Sequence, residues 1–261
     1  MASYPDDRVP VLRAAMGERW VHTSIHVFET LESTSQWLAD HPPDEPALVI
    51  ADQQTRGRGR QGRQWASPTG GLYFSVGVPV PPSQSIPPAL SLLVGLQLTE
   101  ILQSHGFAGI HLKWPNDLVV GDAKLAGLLV ERLPNLLIIG VGINTMAGHV
   151  GRLPADRRAM GLHQLADGVV DDALLGALGG GVLDATAWSA TQAEWLLAER
   201  WPAFDILAGR NIVVDQAGGV ALEGRVAGIT PTGELRLITD TGERYLQAGE
   251  CRIQGGWATP S

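Results

Sequence analysis

Lysine and cysteine are both nearly absent from this chain of 261 residues, which contains two lysines, Lys113 and Lys124, and one cysteine, Cys251. One cysteine excludes an internal disulfide and any site built from several thiolates, so structural zinc and dithiol redox chemistry drop out. Cys251 reads instead as a small, semi-buried apolar side chain. No stretch approaches the roughly 20 apolar residues needed to span a bilayer. The amino terminus also lacks the basic start and apolar core of a secretory signal. A cytoplasmic protein with no membrane partner is therefore expected. Positive charge is in deficit as well: 19 Lys plus Arg stand against 27 Asp plus Glu, a net charge of -8. That excludes broad, non-specific adhesion to nucleic acid or anionic membrane, both of which need a positive field. Any basic site has to be local, and both lysines fall in one short segment.

What is present is enough chain for one large domain, or a large domain with a small appendage. Residues 8–19 carry a weak helical pattern, and 25–28 have strand character. Glu32-Ser33-Thr34-Ser35 reads as a helix start before Trp37 and Leu38. Apolar runs at 47–51, 72–78 and 136–143 predict strands, joined by further strands over 109–113, 118–120 and 126–131, with a tight turn at Gly121-Asp122. One helix, 89–103, crosses between them. This pattern predicts an α+β fold, a sheet flanked by helices. Residues 148–172 are loop-rich. Helical stretches follow near 173–183 and 191–201, with Gly179-Gly180-Gly181 expected to break one helix from another. Beyond Gly209 the texture becomes alternating apolar residues punctuated by glycine, at 212–214, 224–229, 235–238 and 244–246, which predicts a small β-barrel-like unit. The expected division is residues 1–208 and 209–261.

Four segments carry chemistry. Residues 53–65, Gln-Gln-Thr-Arg-Gly-Arg-Gly-Arg-Gln-Gly-Arg-Gln-Trp, hold four arginines and three glycines and are too charged to be core. Such a stretch suits a mobile lid whose guanidinium forks enclose phosphate or carboxylate. The same composition also suits a loop contacting RNA. Lys113-Trp114-Pro115-Asn116-Asp117 places a cation, an amide and a carboxylate around a proline that restricts the chain. Lys124-Leu125-Ala126-Gly127-Leu128-Leu129-Val130-Glu131 is a β-rich run led by a lysine, with a glycine where a side chain would block a ligand. Gly140-Val141-Gly142-Ile143-Asn144 ends an apolar strand but lacks the spacing and following helix of a dinucleotide fingerprint.

Taken jointly and in order, Ser33-Thr34, Gln54 with residues 57–63, residues 113–117, 124–131 and 140–144 resemble the signature of the biotin protein ligases. The unit after Gly209 is similar to the small SH3-like domain that ends members of that family; most of residues 145–208 carry no recognised motif. The resemblance implies a mixed-sheet catalytic domain of the class II synthetase-like, biotin/lipoate ligase type. It implies that the biotin carboxylate attacks the α-phosphate of ATP, releasing pyrophosphate, and that a lysine of the biotin carboxyl carrier domain of acetyl-CoA carboxylase then attacks the biotinyl-adenylate.

By the same resemblance, Lys124 and Arg60 are the catalytic cations. Ser33, Thr34, Gln54, Gly57, Arg58, Arg60, Lys124 and Gly127 surround biotin, and Arg60, Arg63, Trp65, Asn116, Asp117, Lys124 and Asn144 surround the nucleotide. No dedicated metal site is implied; Mg2+ would arrive with ATP, with Asp117 as a protein contact. Ser35 stands where the family often has Asn, and Gln61 where some members have another Arg. The stretch before Phe28 is too short for the winged helix-turn-helix of repressor-type members, so no DNA partner is expected. A lipoate-type ligase and an RNA-binding module using residues 56–63 are the competing readings, and monomer and homodimer are both open.

Overall fold

In the computed structural model, which describes residues 7–146, 158–166, 168–216, 219 and 221–254, the apolar runs become the middle of one sheet. The strands are β1 (Ser24–Leu31), β2 (Ala47–Gln54), β3 (Leu72–Pro79), β4 (His111–Lys113), β5 (Asp117–Val120), β6 (Ala123–Leu133) and β7 (Leu136–Ile143), in spatial order β1-β2-β3-β7-β6-β5-β4. β1 pairs with β2 in parallel, and the succeeding pairs along that order are antiparallel. A further short strand, β8 (Arg158–Ala159), joins β6 in parallel at Ala123 and Lys124. Every residue of β7 is buried, as its unbroken apolar run requires of a central strand. The mixed α+β sheet is therefore as expected; β8 lies in a stretch read as loop.

Helix α1 (Arg8–Met16), α3 (Leu90–Ser104), α4 (Asp172–Thr186) and α5 (Ala190–Arg200) join the principal hydrophobic cluster on one face, while the short α2 (Thr34–Asp40) packs against a smaller cluster on the other. Ser33 and Asp171 cap α2 and α4, each side-chain oxygen accepting a backbone N–H three residues on. Arg8 ties α1 to both neighbours, pairing with Asp52 on β2 at 3.0 Å and Asp172 on α4 at 2.6 Å. No helix of the described residues is long and apolar enough to cross a membrane.

The three consecutive glycines do not break a helix: α4 runs through them. Tertiary packing overrides their low helix propensity: Gly179 meets Leu48 of β2, Gly181 meets Ile101 of α3, and α1 lies against Gly176 and Gly180. A Cβ built on Gly176 would sit 2.3 Å from Leu12 O, and one on Gly180 2.4 Å from Met16 O. Alanine at a helical glycine ordinarily stabilises by about 0.5–1 kcal/mol. Here the obstacle is backbone, which does not rotate away, and overpacking costs about 1–3 kcal/mol. Gly180→Ala is accordingly expected to lower urea-unfolding stability by about 1–2 kcal/mol. Increased stability would mean that α1 is not seated as described.

The second sheet is antiparallel, in order β12-β11-β10-β9-β13, from β9 (Asn211–Asp215), β10 (Ala221–Ile229), β11 (Leu235–Thr239), β12 (Gly242–Leu246) and β13 (Glu250–Ile253). The expected barrel is thus not closed by strand pairing: among the described residues β12 and β13 are the free ends of the sheet. β13 escaped the sequence reading because Glu-Cys-Arg-Ile offers no clear alternation. Its Cys251 is buried, as expected of a small apolar side chain, and burial pushes the thiol up to about 12.

Candidate active site

The C-terminal part of β2, the N-terminus of α2, the loop after β2, β6, β7 and β13 converge on one cavity of about 1050 Å³. Of the residues singled out above, Ser33, Thr34, Gln54, Arg58, Arg60, Arg63, Trp65, Asn116, Asp117, Lys124, Gly127 and Asn144 all line it. Gly57 does not; it lies beneath the loop and lines a shallower adjoining depression.

At one end, α2 begins with its backbone aimed at β2. The Thr34 amide donates to Gln54 Oε1 at 2.9 Å, and Gln54 Nε2 donates to Ser67 Oγ at 2.8 Å. Thr34 Oγ1 and Ser35 Oγ lie 2.7 and 2.9 Å from Ser75 Oγ. Ser75 and Ser67 were missed in the sequence. The available signal was a hydroxyl between Phe74 and Val76 in a buried strand, which requires a partner.

The Arg/Gly segment is a hydrogen-bonded hairpin among the described residues. Gly59 N donates to Arg63 O at 2.8 Å and Trp65 N to Gly57 O at 2.8 Å, with a short 3-10 turn at Arg60–Gly62. Gly57 is needed there because a Cβ would meet Trp65 O at 2.4 Å. The four arginines diverge. Arg56 reaches Glu32 at 3.5 Å on the exposed side, and Arg58 donates to Glu131 on β6 at 2.5 Å. Arg60 turns inward and donates to Asn116 Oδ1 at 3.1 Å. Arg63 pairs with Glu250 on β13, linking the loop to the second sheet. Burial pushes the Arg60 pKa down while Asp117 pulls it back up; starting so far above neutrality, the guanidinium remains a cation.

Lys124 begins β6 beside this group, its Nζ 2.6 Å from Asp117 Oδ1 and 5.1 Å from the centroid of the Trp65 ring. Asn144 donates to Lys124 O at 3.2 Å, holding the start of the strand. Asn116 is engaged on both sides of its amide, accepting from Arg60 and donating to Leu128 O at 2.7 Å. Its side chain fixes the Arg60 guanidinium against β6. Trp65 lies on the sheet where side chains are missing: a Cβ on Gly142 would be 2.4 Å from its Nε1, and one on Gly127 2.9 Å from its Cζ3. Trp114 is both wall and core, buried to 2% and donating to Gly233 O in the turn between β10 and β11 at 3.0 Å.

The cavity therefore has a hydroxyl- and amide-lined end, a middle of indole over glycine, and an end holding Arg60, Lys124 and Asp117. That is a receptacle for an extended molecule with a small polar head, an apolar body and an anionic tail. The fold with this site places the chain among the biotin and lipoate protein ligases: a profile described as "Biotin/lipoate A/B protein ligase family" matches residues 27–144, and one described as "Biotin protein ligase C terminal domain" matches residues 208–253. A relative from Mycobacterium tuberculosis called biotin--[acetyl-CoA-carboxylase] ligase is 32% identical over 209 residues, covering 76% of this chain and 75% of that protein. The bifunctional ligase/repressor BirA of Escherichia coli is 38% identical over 129 residues, 46% of this chain; the chain spans 40% of that protein's length. Among solved structures, biotin protein ligase from Aquifex aeolicus in complex with biotin and ATP superposes with a TM-score of 0.75 at 26% identity, covering 88% of this chain and 98% of that one. The chain belongs to the biotin protein ligase family.

Proposed function

We propose that this protein activates biotin with magnesium-bound ATP and transfers it to a lysine of a biotin carboxyl carrier domain of the acetyl-CoA carboxylase type, the acceptor named for the mycobacterial relative. The catalytic unit is residues 1–208 and the small β unit residues 209–261, whose β13 supplies Glu250 to the cavity rim. The observation that carries this reading is the convergence of Thr34, Gln54, Trp65, Arg60, Lys124 and Asp117 on one cavity, with polar and cationic ends separated by an apolar floor.

In the first step a biotin carboxylate oxygen attacks the α-phosphorus, the bond from that phosphorus to the bridging oxygen breaks, and pyrophosphate leaves. Two anions must approach, so catalysis needs fixed positive charge at the point of attack. Lys124 and Arg60 supply it, with Lys124 exchanging Asp117 for the carboxylate and α-phosphate. Arg63, Asn144 and Asp117 flank the nucleotide end. Asn116 contributes by holding Arg60. Ser33, Thr34 and Gln54 meet the ureido ring, Gly127 leaves room for the ligand on the sheet, and Arg58 and Gly57 shape the loop beside it. In the second step the acceptor amine attacks the carbonyl of the mixed anhydride, AMP leaves, and the amine loses its extra proton. An anhydride hydrolyses in water, so the loop over the site protects it until the acceptor arrives.

The test is transfer. Incubated with ATP, magnesium, biotin and a recombinant carrier domain, the protein is expected to add one biotinyl group to the carrier lysine, detected by intact mass. Lipoate in place of biotin is expected to give no addition. Lipoylation without biotinylation would move the chain to the lipoate-type reading. Neither product, with RNA retained on the protein, would support the nucleic-acid one.

A further inference from the structure

Ser75 lies on β3 with no exposure to solvent, and its residue is not part of the cavity wall. Its hydroxyl is nevertheless the link between two hydroxyls on residues that do line the cavity, 2.7 Å from Thr34 Oγ1 and 2.9 Å from Ser35 Oγ. A hydroxyl has one proton and can accept as well as donate, so a chain of them has a direction, set wherever one end is unambiguous.

Here that end is Gln54. The atom facing the Thr34 amide at 2.9 Å must be an acceptor because a backbone N–H only donates, which fixes Gln54 Oε1 toward α2 and Nε2 toward Ser67. Ser67 in turn donates to Trp65 O at 3.2 Å, a carbonyl that can only accept. Thr34 Oγ1 lies 3.2 Å from Gln54 Oε1, which has no proton, so the Thr34 proton goes to it. Thr34 then has none for Ser75; Ser75 donates to Thr34, and Ser35 donates to Ser75.

We infer that Ser75 is a positioning residue, which through the series Ser35, Ser75, Thr34, Gln54 commits the hydroxyl protons inward and so fixes which ligand groups this end of the cavity accepts. Ser35 then presents lone pairs to the ligand, and the second Nε2 hydrogen of Gln54 remains to donate. Gly140 keeps the Ser35 oxygen uncovered, since a Cβ there would lie 2.7 Å from Oγ. The matching ligand edge pairs N–H donors with a carbonyl acceptor in one small ring, as a cyclic urea does. The inference rests on the proposal that this end holds the biotin ring.

Without the Ser75 hydroxyl, the Ser35 proton loses its acceptor and is free to turn toward the ligand, and Thr34 Oγ1 loses the donor that faces it. A site of fixed polarity discriminates strongly against an analogue lacking a donor, because a buried group is left unpaired. The experiment compares biotin with an analogue in which the ureido N–H facing Ser35 is replaced by ring oxygen, by calorimetric titration of wild type and Ser75→Ala; both regioisomers are tested. Expected are a biotin Kd raised about tenfold and an affinity ratio, biotin to the more discriminated carbamate, that falls by about tenfold as well. A merely structural defect would weaken both ligands and leave the ratio unchanged. Ser75→Cys keeps the buried volume while donating only weakly, and is expected to lower the ratio at the wild-type melting temperature. Combining Ser75→Ala with Thr34→Val is expected to cost less than the sum of the two. Wild type that binds biotin with the same ratio in both Ser75 variants overturns the inference alone. Wild type that does not bind biotin overturns the functional reading, and the inference with it.

Discussion

Lys124→Ala is expected to slow biotin-dependent exchange of pyrophosphate into ATP by about 100-fold or more, the scale found when one preorganised charge-stabilising group is removed from a site of developing negative charge. The position of Lys124 makes the loss large. Its ammonium stands between the indole floor and the Asp117 carboxylate, 22% exposed along its side chain, so water substitutes for it poorly. Removing it also takes from Asp117 the cation 2.6 Å away, leaving Arg60 alone to offset that carboxylate where the triphosphate is proposed to bind. Lys124→Arg is not expected to restore the rate. The ammonium is a compact point charge already 3.2 Å from where a Gly127 side chain would begin, and a planar guanidinium does not fit the same gap. Single-turnover measurement with saturating biotin separates slow chemistry from weak binding. Unimpaired exchange in the alanine variant would remove Lys124 from the reaction.

Gly142→Ala is expected to raise the Kd for biotin by about 5- to 150-fold, from roughly 1–3 kcal/mol of overpacking. The added carbon would lie 2.4 Å from Trp65 Nε1. The tryptophan cannot retreat as a unit, because its backbone N–H donates to Gly57 O at 2.8 Å and its backbone carbonyl accepts from Ser67 Oγ at 3.2 Å. The indole therefore tilts upward into the space above Gly127. Trp65→Phe, with a smaller ring, is expected to relieve the conflict: adding Gly142→Ala to that background costs little further affinity. Equal losses in both backgrounds would show that Gly142 acts through the backbone of β7 and not through the indole.

The sequence made much of this legible, and physics explains which parts. Leu136–Ile143 is an unbroken apolar run because the strand is buried on both faces, and its bounds could be read directly. Thr34 and Gln54 could be singled out only through the joint family resemblance, whereas Arg60 and Lys124 also stand out as cations beside glycines and a strand start, and the fold brings all four to one cavity. Asn116, expected to face the nucleotide, lines the cavity, and its amide is also engaged with Arg60 and Leu128. That it also holds Arg60 leaves no local signal in the sequence, because the partner is 56 residues away. Residues 179–181 are expected to break the helix on intrinsic propensity, while the deciding contacts come from distant segments: Gly180 faces Met16 of α1, Gly179 faces Leu48 of β2 and Gly181 faces Ile101 of α3. β8, β13 and the open order of the second sheet depend on pairings between distant segments, which leave no mark in short windows.

The most direct test of the account is exchange of radiolabelled pyrophosphate into ATP by the purified protein with magnesium, with biotin, with lipoate and with neither acid. It follows adenylation without requiring the acceptor. The account predicts exchange that depends on biotin, is absent with lipoate and collapses in Lys124→Ala. Exchange that lipoate supports as well as biotin, or none with either acid from a folded protein, would contradict it.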